Sequence, residues 1–235
     1  MQDSLTYHPA STPVSSPQAG LFVVFEGGDG SGKTTQVRLL AEALTEAGHR
    51  VVTTREPGGT EIGEKLRSLV LDHGNGEIDA RTEALIFAAS RAAHAHQLIR
   101  PALDEGAVVL CDRYIDSSAA YQGAGRGLGV SPVTELSLWA TENLVPDLTI
   151  LLDVPLNAGR DRAGARGAAD RMESESDEFY TAIHATFGQL AAEHPERYAV
   201  IDGTGSIADV HEQVFIAVQE ALNARAAYTT EEENR

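Results

Sequence analysis

The chain holds a single cysteine in 235 residues, Cys111, so an internal disulfide is impossible. Cys111 also sits inside an apolar run. With no basic-then-apolar layout at the N-terminus, the expected compartment is the cytoplasm. No apolar run approaches the ~20 residues of a membrane span, which excludes a helical membrane anchor as the reading. Positive charge is scarce too. Lys and Arg number 18 against 35 Asp and Glu, a formal net charge of −17. Such a surface opposes nucleic acid and anionic membranes and favours small-molecule chemistry, with the few arginines gathered at an anionic site.

What is present suits one α/β domain large enough to bury a full core. Residues 1–19 are rich in Ser, Thr, Pro and Gln without periodicity and read as a disordered N-terminal tail. Residues 225–235 are polar and acidic and read as a flexible C-terminal tail. Between them, over 20–224, apolar runs alternate with helical patterns. Strands are expected at Leu21–Glu26, Arg50–Thr54, Ala107–Cys111, Leu148–Leu152 and Tyr198–Ile201. Helices are expected near 33–47, 61–72, 80–103, 115–122, 132–143, 155–165, 174–193 and 207–223. Strands that are apolar throughout imply a parallel sheet, five-stranded here, flanked by helices on both faces in three layers. Ligands then gather beyond the C-terminal strand ends.

At the first strand end stands Gly27-Gly28-Asp29-Gly30-Ser31-Gly32-Lys33-Thr34, with the spacing G-x-x-x-x-G-K-[ST]. The preceding run Leu21–Phe25 reads as a buried strand, and Val37, Leu40, Ala41 and Leu44 begin a helix. In that setting the glycines let backbone N–H groups surround an anion, and the helix N-terminus adds its positive end. Lys33 would reach the β- and γ-phosphates, and the Thr34 hydroxyl would ligate Mg²⁺. The motif predicts a P-loop NTPase fold that binds a nucleoside triphosphate.

Arginines follow other strands on the same edge. Arg55-Glu56-Pro57-Gly58-Gly59-Thr60 follows the second; Asp112-Arg113-Tyr114 and then Ser117, Ser118, Tyr121 and Gln122 follow the third. Arg160, Arg162, Arg166 and Arg171 follow the fourth. Planar guanidinium forks grip phosphate oxygens bidentately, and phosphoryl transfer needs such cations around the moving group. Asp112, a carboxylate ending an apolar strand, either supports Mg²⁺ or orients Arg113 by a salt bridge.

Taken in order, these blocks resemble the thymidylate kinases over residues 20 to 224: Phe25 to Gln36, Thr54 to Thr60, Leu110 to Tyr114 with Ser117, Ser118, Tyr121 and Gln122, and Arg162 to Glu175. The resemblance implies ATP as phosphoryl donor, dTMP as acceptor, Mg²⁺ as cofactor, dTDP as product for dTTP synthesis, and a homodimer. It also implies roles. Phe87 would stack on thymine and Arg91 hydrogen-bond the base; the two lie four apart on one helix face, although an aromatic there also suits a core. Arg55 would hold the acceptor phosphate, and Arg113 would sit between donor and acceptor phosphates. Asp29 would position the acceptor sugar or a metal-bound water. Tyr121 would lie near the deoxyribose 2′ position, with Ser118 and Gln122 near the base. The phosphate loop carries no arginine at Gly28 to Ser31. The catalytic cation would therefore come from a lid at about 160–174, through Arg166 with Arg162 and Arg171 nearby; a solvated charged helix end is the alternative. Gly203-Thr204-Gly205 would pass over the adenine or simply join strand to helix.

Rival functions fit less well. No guanine-reading Asn-Lys-x-Asp segment occurs, and no Leu-Ser-Gly-Gly transport signature. A deoxynucleoside kinase would want a carboxylate base for a neutral hydroxyl acceptor, whereas Arg55 and Arg113 suit an acceptor that already carries phosphate.

Overall fold

A computed structural model describes residues 20–156, 158–159, 171–172 and 175–233. Five parallel strands form one sheet in the order β2-β3-β1-β4-β5: β1 Leu21–Glu26, β2 Val51–Arg55, β3 Val108–Asp112, β4 Leu148–Asp153 and β5 Tyr198–Asp202. The central strand β1 is buried along its whole length. Its side chains alternate between two cores, as the strand period requires. Leu21, Val23 and Phe25 pack with Val37, Leu40 and Leu44 of α1 (Lys33–Glu46) and with Val210, Val214 and Val218 of the last helix. Phe22 and Val24 pack on the opposite face with Ala95, Ile99, Leu103 and Tyr114. Helices therefore cover both faces. Each fully buried large apolar side chain contributes roughly 1.5–3 kcal/mol, so these two layers fix the order of the strands and the edge at which they end.

Further α-helices are α2 (Glu61–Leu71), α3 (Ala80–His94), α4 (Arg100–Asp104), α5 (Ile115–Ser118), α6 (Val130–Ala140), α7 (Asp177–Glu193) and α8 (Ile207–Glu233). Two departures from the expected elements have clear causes. The single helix expected over 80–103 is interrupted by a π-helical segment, Ala95–Ile99, in which the Arg100 N–H reaches back to the Ala95 carbonyl. Pro101 lacks the N–H for the ordinary ladder and crowds the preceding turn, and a widened turn accommodates both. The final helix runs through Glu233 rather than ending at 223, since Ala-rich sequence there favours helix. Ser206 and Asp209 cap its start as a reciprocal pair: the Asp209 N–H donates to Ser206 Oγ at 3.2 Å, and the Ser206 hydroxyl to Asp209 at 2.7 Å. Among the described residues, no helix is long and apolar enough to cross a membrane.

Candidate functional site

The first cleft lies at the phosphate loop, between β1 and α1. Gly27 takes φ 134°, and a Cβ there would stand 2.6 Å from the Leu152 carbonyl oxygen. Both the backbone conformation and the close approach of β4 therefore require glycine. Lys33 is buried; its ammonium donates to the carbonyls of Gly27 (3.0 Å) and Gly28 (2.8 Å). Burial and then the Arg113 charge push its pKa down to about 8, against the pull of Asp112, Asp29 and Glu26. Thr34 donates from Oγ1 to Asp112 Oδ2 at 2.9 Å. Gly203, Gly205, Ile207 and Val210 line the same cavity of about 400 Å³, which puts the Gly203-Thr204-Gly205 turn beside the phosphate loop.

A second cleft, of about 230 Å³, opens between β2, α3 and the segment after β3. Arg55, Phe87, Arg91, Arg113, Ser118, Tyr121 and Gln122 all line it. Tyr121 and Gln122 belong to a π-helical turn, Ala119–Gly125, where the Arg126 N–H bonds the Tyr121 carbonyl at 2.9 Å. A Cβ on Gly125 would stand 2.5 Å from the Phe179 ring, so glycine permits α7 to close against this turn. The extra residue in the turn sets where Tyr121 and Gln122 point.

Between the two clefts lies Arg113. It donates from Nη2 to Asp29 Oδ1 (2.6 Å) and from Nη1 to Ser117 Oγ (3.1 Å) and the Gly27 carbonyl (3.3 Å). Asp29 accepts its second hydrogen bond from the Tyr121 hydroxyl at 3.0 Å. Burial opposes ionisation of Asp29, but the Arg113 and Lys33 charges outweigh it and hold the carboxyl below its usual range. Burial raises the Tyr121 pKa far above that of a free tyrosine, so its hydroxyl stays a donor. Of the two readings left open for Asp112, its hydrogen bond goes to Thr34, and the salt bridge that orients Arg113 comes from Asp29.

Arg91 is buried, and four hydrogen bonds occupy most of its five N–H groups: Glu56 Oε2 (2.7 Å), Ser137 Oγ (2.9 Å), the Tyr114 carbonyl (3.1 Å) and Ser118 Oγ (2.9 Å). Among the described residues, one Nη1 hydrogen has no partner. The other oxygen of Glu56 meets His94 Nδ1 at 2.9 Å. Phe87 is half-buried: it packs against the cluster around Val70 and Phe179 and still lines the cleft, so its core and ligand-facing readings coexist. Arg55 is half-exposed and pairs with Glu64 at 2.8 Å.

Arg162 and Arg166 lie outside the described residues, as does most of the lid expected at 160–174. Arg171 is described, and it is anchored away from the phosphate loop. Its Nη2 donates to Glu83 at 2.6 Å and its Nε to the Val70 carbonyl at 2.8 Å.

Two acids were missed in the sequence. Glu26 ends β1 and is fully buried; it accepts from the N–H groups of Tyr114 (2.9 Å) and Ser117 (3.1 Å) and from the Ser117 hydroxyl (2.6 Å). Burial, then the neighbouring Asp116, push its pKa up to about 7. A carboxylate closing an apolar strand was the available signal, as for Asp112. Glu83 lies four residues before Phe87, so Glu83, Phe87 and Arg91 form one stripe along α3.

A phosphate loop on a parallel sheet, abutting a second cleft lined by arginines, defines a phosphotransferase of the nucleotide kinase class. The comparisons narrow it. A family model described as thymidylate kinase matches residues 25–214. A thymidylate kinase of Cutibacterium acnes is 49% identical over 204 residues, covering 87% of this chain and 98% of that protein. One of Leifsonia xyli is 50% identical over 205 residues, covering 87% and 96%. The crystal structure of a thymidylate kinase from Ehrlichia chaffeensis matches with a TM-score of 0.69 at 37% identity, covering 85% of this chain and 98% of that one. The chain belongs to the thymidylate kinase family.

Proposed function

We propose that this family member transfers the γ-phosphoryl group of ATP to dTMP, yielding dTDP and ADP. The observation that carries the reading is that both clefts share Asp29, Thr34, Asp112 and Arg113. A triphosphate in the first cleft and a monophosphate in the second would meet at those residues, the proximity that phosphoryl transfer needs.

Each residue then has a task. Lys33 and the backbone of Gly27 to Thr34 hold the donor phosphates. Arg113 neutralises charge between donor and acceptor. Arg55, released from Glu64, takes the acceptor phosphate. Phe87 stacks on the base, Arg91 offers its last N–H to it, and Ser118 and Gln122 complete the polar edge. Tyr121 and Asp29 flank the sugar. Thr34 and Asp112 would hold Mg²⁺ through two oxygens, a donor set that suits this hard cation beside phosphates. When bound, Mg²⁺ neutralises charge on the phosphates. Both oxygens of Asp29 are held by Arg113 and Tyr121, so Asp29 acts through them or through a metal-bound water. Arg166, with Arg162, supplies the lid cation that the loop lacks.

Ile62 and Leu69 on α2, Leu85 on α3 and Trp139 on α6 are exposed, and these helices lie side by side. Large exposed apolar side chains on neighbouring helices support a homodimer. The single buried thiol supports a cytoplasmic enzyme, with residues 20–224 as the catalytic domain. Incubation with ATP labelled at the γ-phosphorus and dTMP is expected to place the label in dTDP. Lys33→Ala should slow this by ~10²–10³. Label released only as inorganic phosphate would refute the reading.

A further inference from the structure

Glu83 is a buried carboxylate for which the assignments above have no use. It accepts from three side chains: Gln122 Nε2 at 2.9 Å, Arg171 Nη2 at 2.6 Å and Arg126 Nε at 3.1 Å. Arg126 also pairs with Glu175 at 2.6 Å. These residues come from α3, the π-helical turn, and the segment leading into α7.

We propose that Glu83 is the positioning residue that sets which end of the Gln122 amide faces the acceptor base, and so makes the site select thymine over cytosine. This rests on the reading that the second cleft holds the base. Hydrogen-bond sense fixes the orientation. An amide can turn either its NH₂ or its carbonyl toward a neighbour. An ionised carboxylate accepts only, so Gln122 must give Glu83 its NH₂ group. Glu83 is kept ionised: burial opposes the charge, but hydrogen bonds from Arg126, Gln122 and Arg171 prevail and lower its pKa. Gln122 Oε1 takes no hydrogen bond among the described residues, and Gln122 lines the cleft. The protein therefore presents an acceptor.

Thymine carries a donor, N3–H, on its pairing edge; cytosine carries an unprotonated N3 there. Against a fixed acceptor the first forms a hydrogen bond and the second sets lone pair against lone pair. A site built to hydrogen-bond one partner rejects the analogue that cannot answer it. Arg126 and Arg171 balance the Glu83 charge, which allows an ionised group to stay buried.

The test is Glu83→Gln, which removes the acceptor-only constraint at nearly the same volume and lets the Gln122 amide turn over. Selectivity, measured as kcat/KM for dTMP relative to dCMP, should fall by ~10-fold or more, the scale of one hydrogen bond, with the KM for ATP little changed. The ratio of dTMP to dUMP should hold, because uracil carries the same N3–H. If the lone charges of Arg126 and Arg171 unfold Glu83→Gln, the double variant Glu83→Gln with Arg171→Gln removes acid and cation together. It should lose the dTMP preference, whereas Arg171→Gln alone should keep it. Gln122→Met separates the two levels of the argument. If Gln122→Met loses selectivity while a folded Glu83→Gln retains it, Gln122 reads the base and the role given to Glu83 is wrong. If Gln122→Met retains selectivity as well, Gln122 does not discriminate between the bases and the proposal fails.

Discussion

Arg113 and Asp29, 84 positions apart in the chain, meet at 2.6 Å where the two clefts join. The contact leaves the guanidinium spanning both clefts, with Ser117 and the Gly27 carbonyl fixing its other arm. Asp29→Ala removes the partner that aims it. Misplacement of a catalytic group by about 1 Å can cost up to ~10²-fold, so kcat should fall on that scale while the KM for ATP changes less. Steady-state kinetics at saturating dTMP measure it. A loss confined to the KM for ATP would place Asp29 with donor binding instead.

Glu26 gives a pH signature in stability. Its pKa rises from 4.5 to about 7 on folding, through burial and then Asp116, with Arg113, Ser117 and Tyr114 opposing and Lys33 close by. The folded state therefore binds the proton more tightly than the unfolded chain. Its contribution is fully present below about pH 4.5 and is lost as the pH rises through about 7. In Glu26→Gln that component disappears, so the fall in Tm between about pH 5 and 8 should be shallower than in the parent. Parallel melting curves with equal slopes would exclude Glu26 as the group responsible.

Much of this was legible in the sequence. Strands apolar on both faces announced a covered parallel sheet, and the expected and observed strands differ by a residue at most end positions. Lys33, Thr34, Arg55, Asp112 and Arg113 stood at strand ends, which topology alone brings to one edge. What was not legible are partnerships made by packing. Nothing local to Arg171 tells that it binds Glu83, 88 positions away, instead of pointing to phosphate. The two π-helical turns were hidden as well, since helical periodicity tolerates one extra residue. Arg91 looked like a free base reader, because a buried carboxylate from the end of β2 cannot be seen in the spacing of α3.

That last difference changes what Arg91→Ala should do. Among the described residues, truncation leaves the buried Glu56 carboxylate with His94 as its one side-chain partner, and breaking a buried pair of this kind costs about 3–5 kcal/mol. Denaturant unfolding should register that loss before any effect on dTMP is interpretable. A stability within about 0.5 kcal/mol of the parent would mean that Arg91 is not locked as described.

For the lid, Arg166→Ala should lower kcat by ~10²-fold or more with a modest change in the KM for ATP. A cation engaged mainly in the transition state behaves in that way. An unchanged kcat would return the segment to a charged surface helix.

Everything proposed for the second cleft turns on its accepting thymidine monophosphate. An acceptor panel with ATP and Mg²⁺ tests it most directly: thymidine, dTMP, dUMP, dCMP, UMP and AMP, each followed by ADP release. The highest kcat/KM is expected for dTMP, with no phosphorylation of thymidine, whose neutral hydroxyl gives Arg55 and Arg113 nothing to hold. Phosphorylation of thymidine with dTMP inert would contradict it.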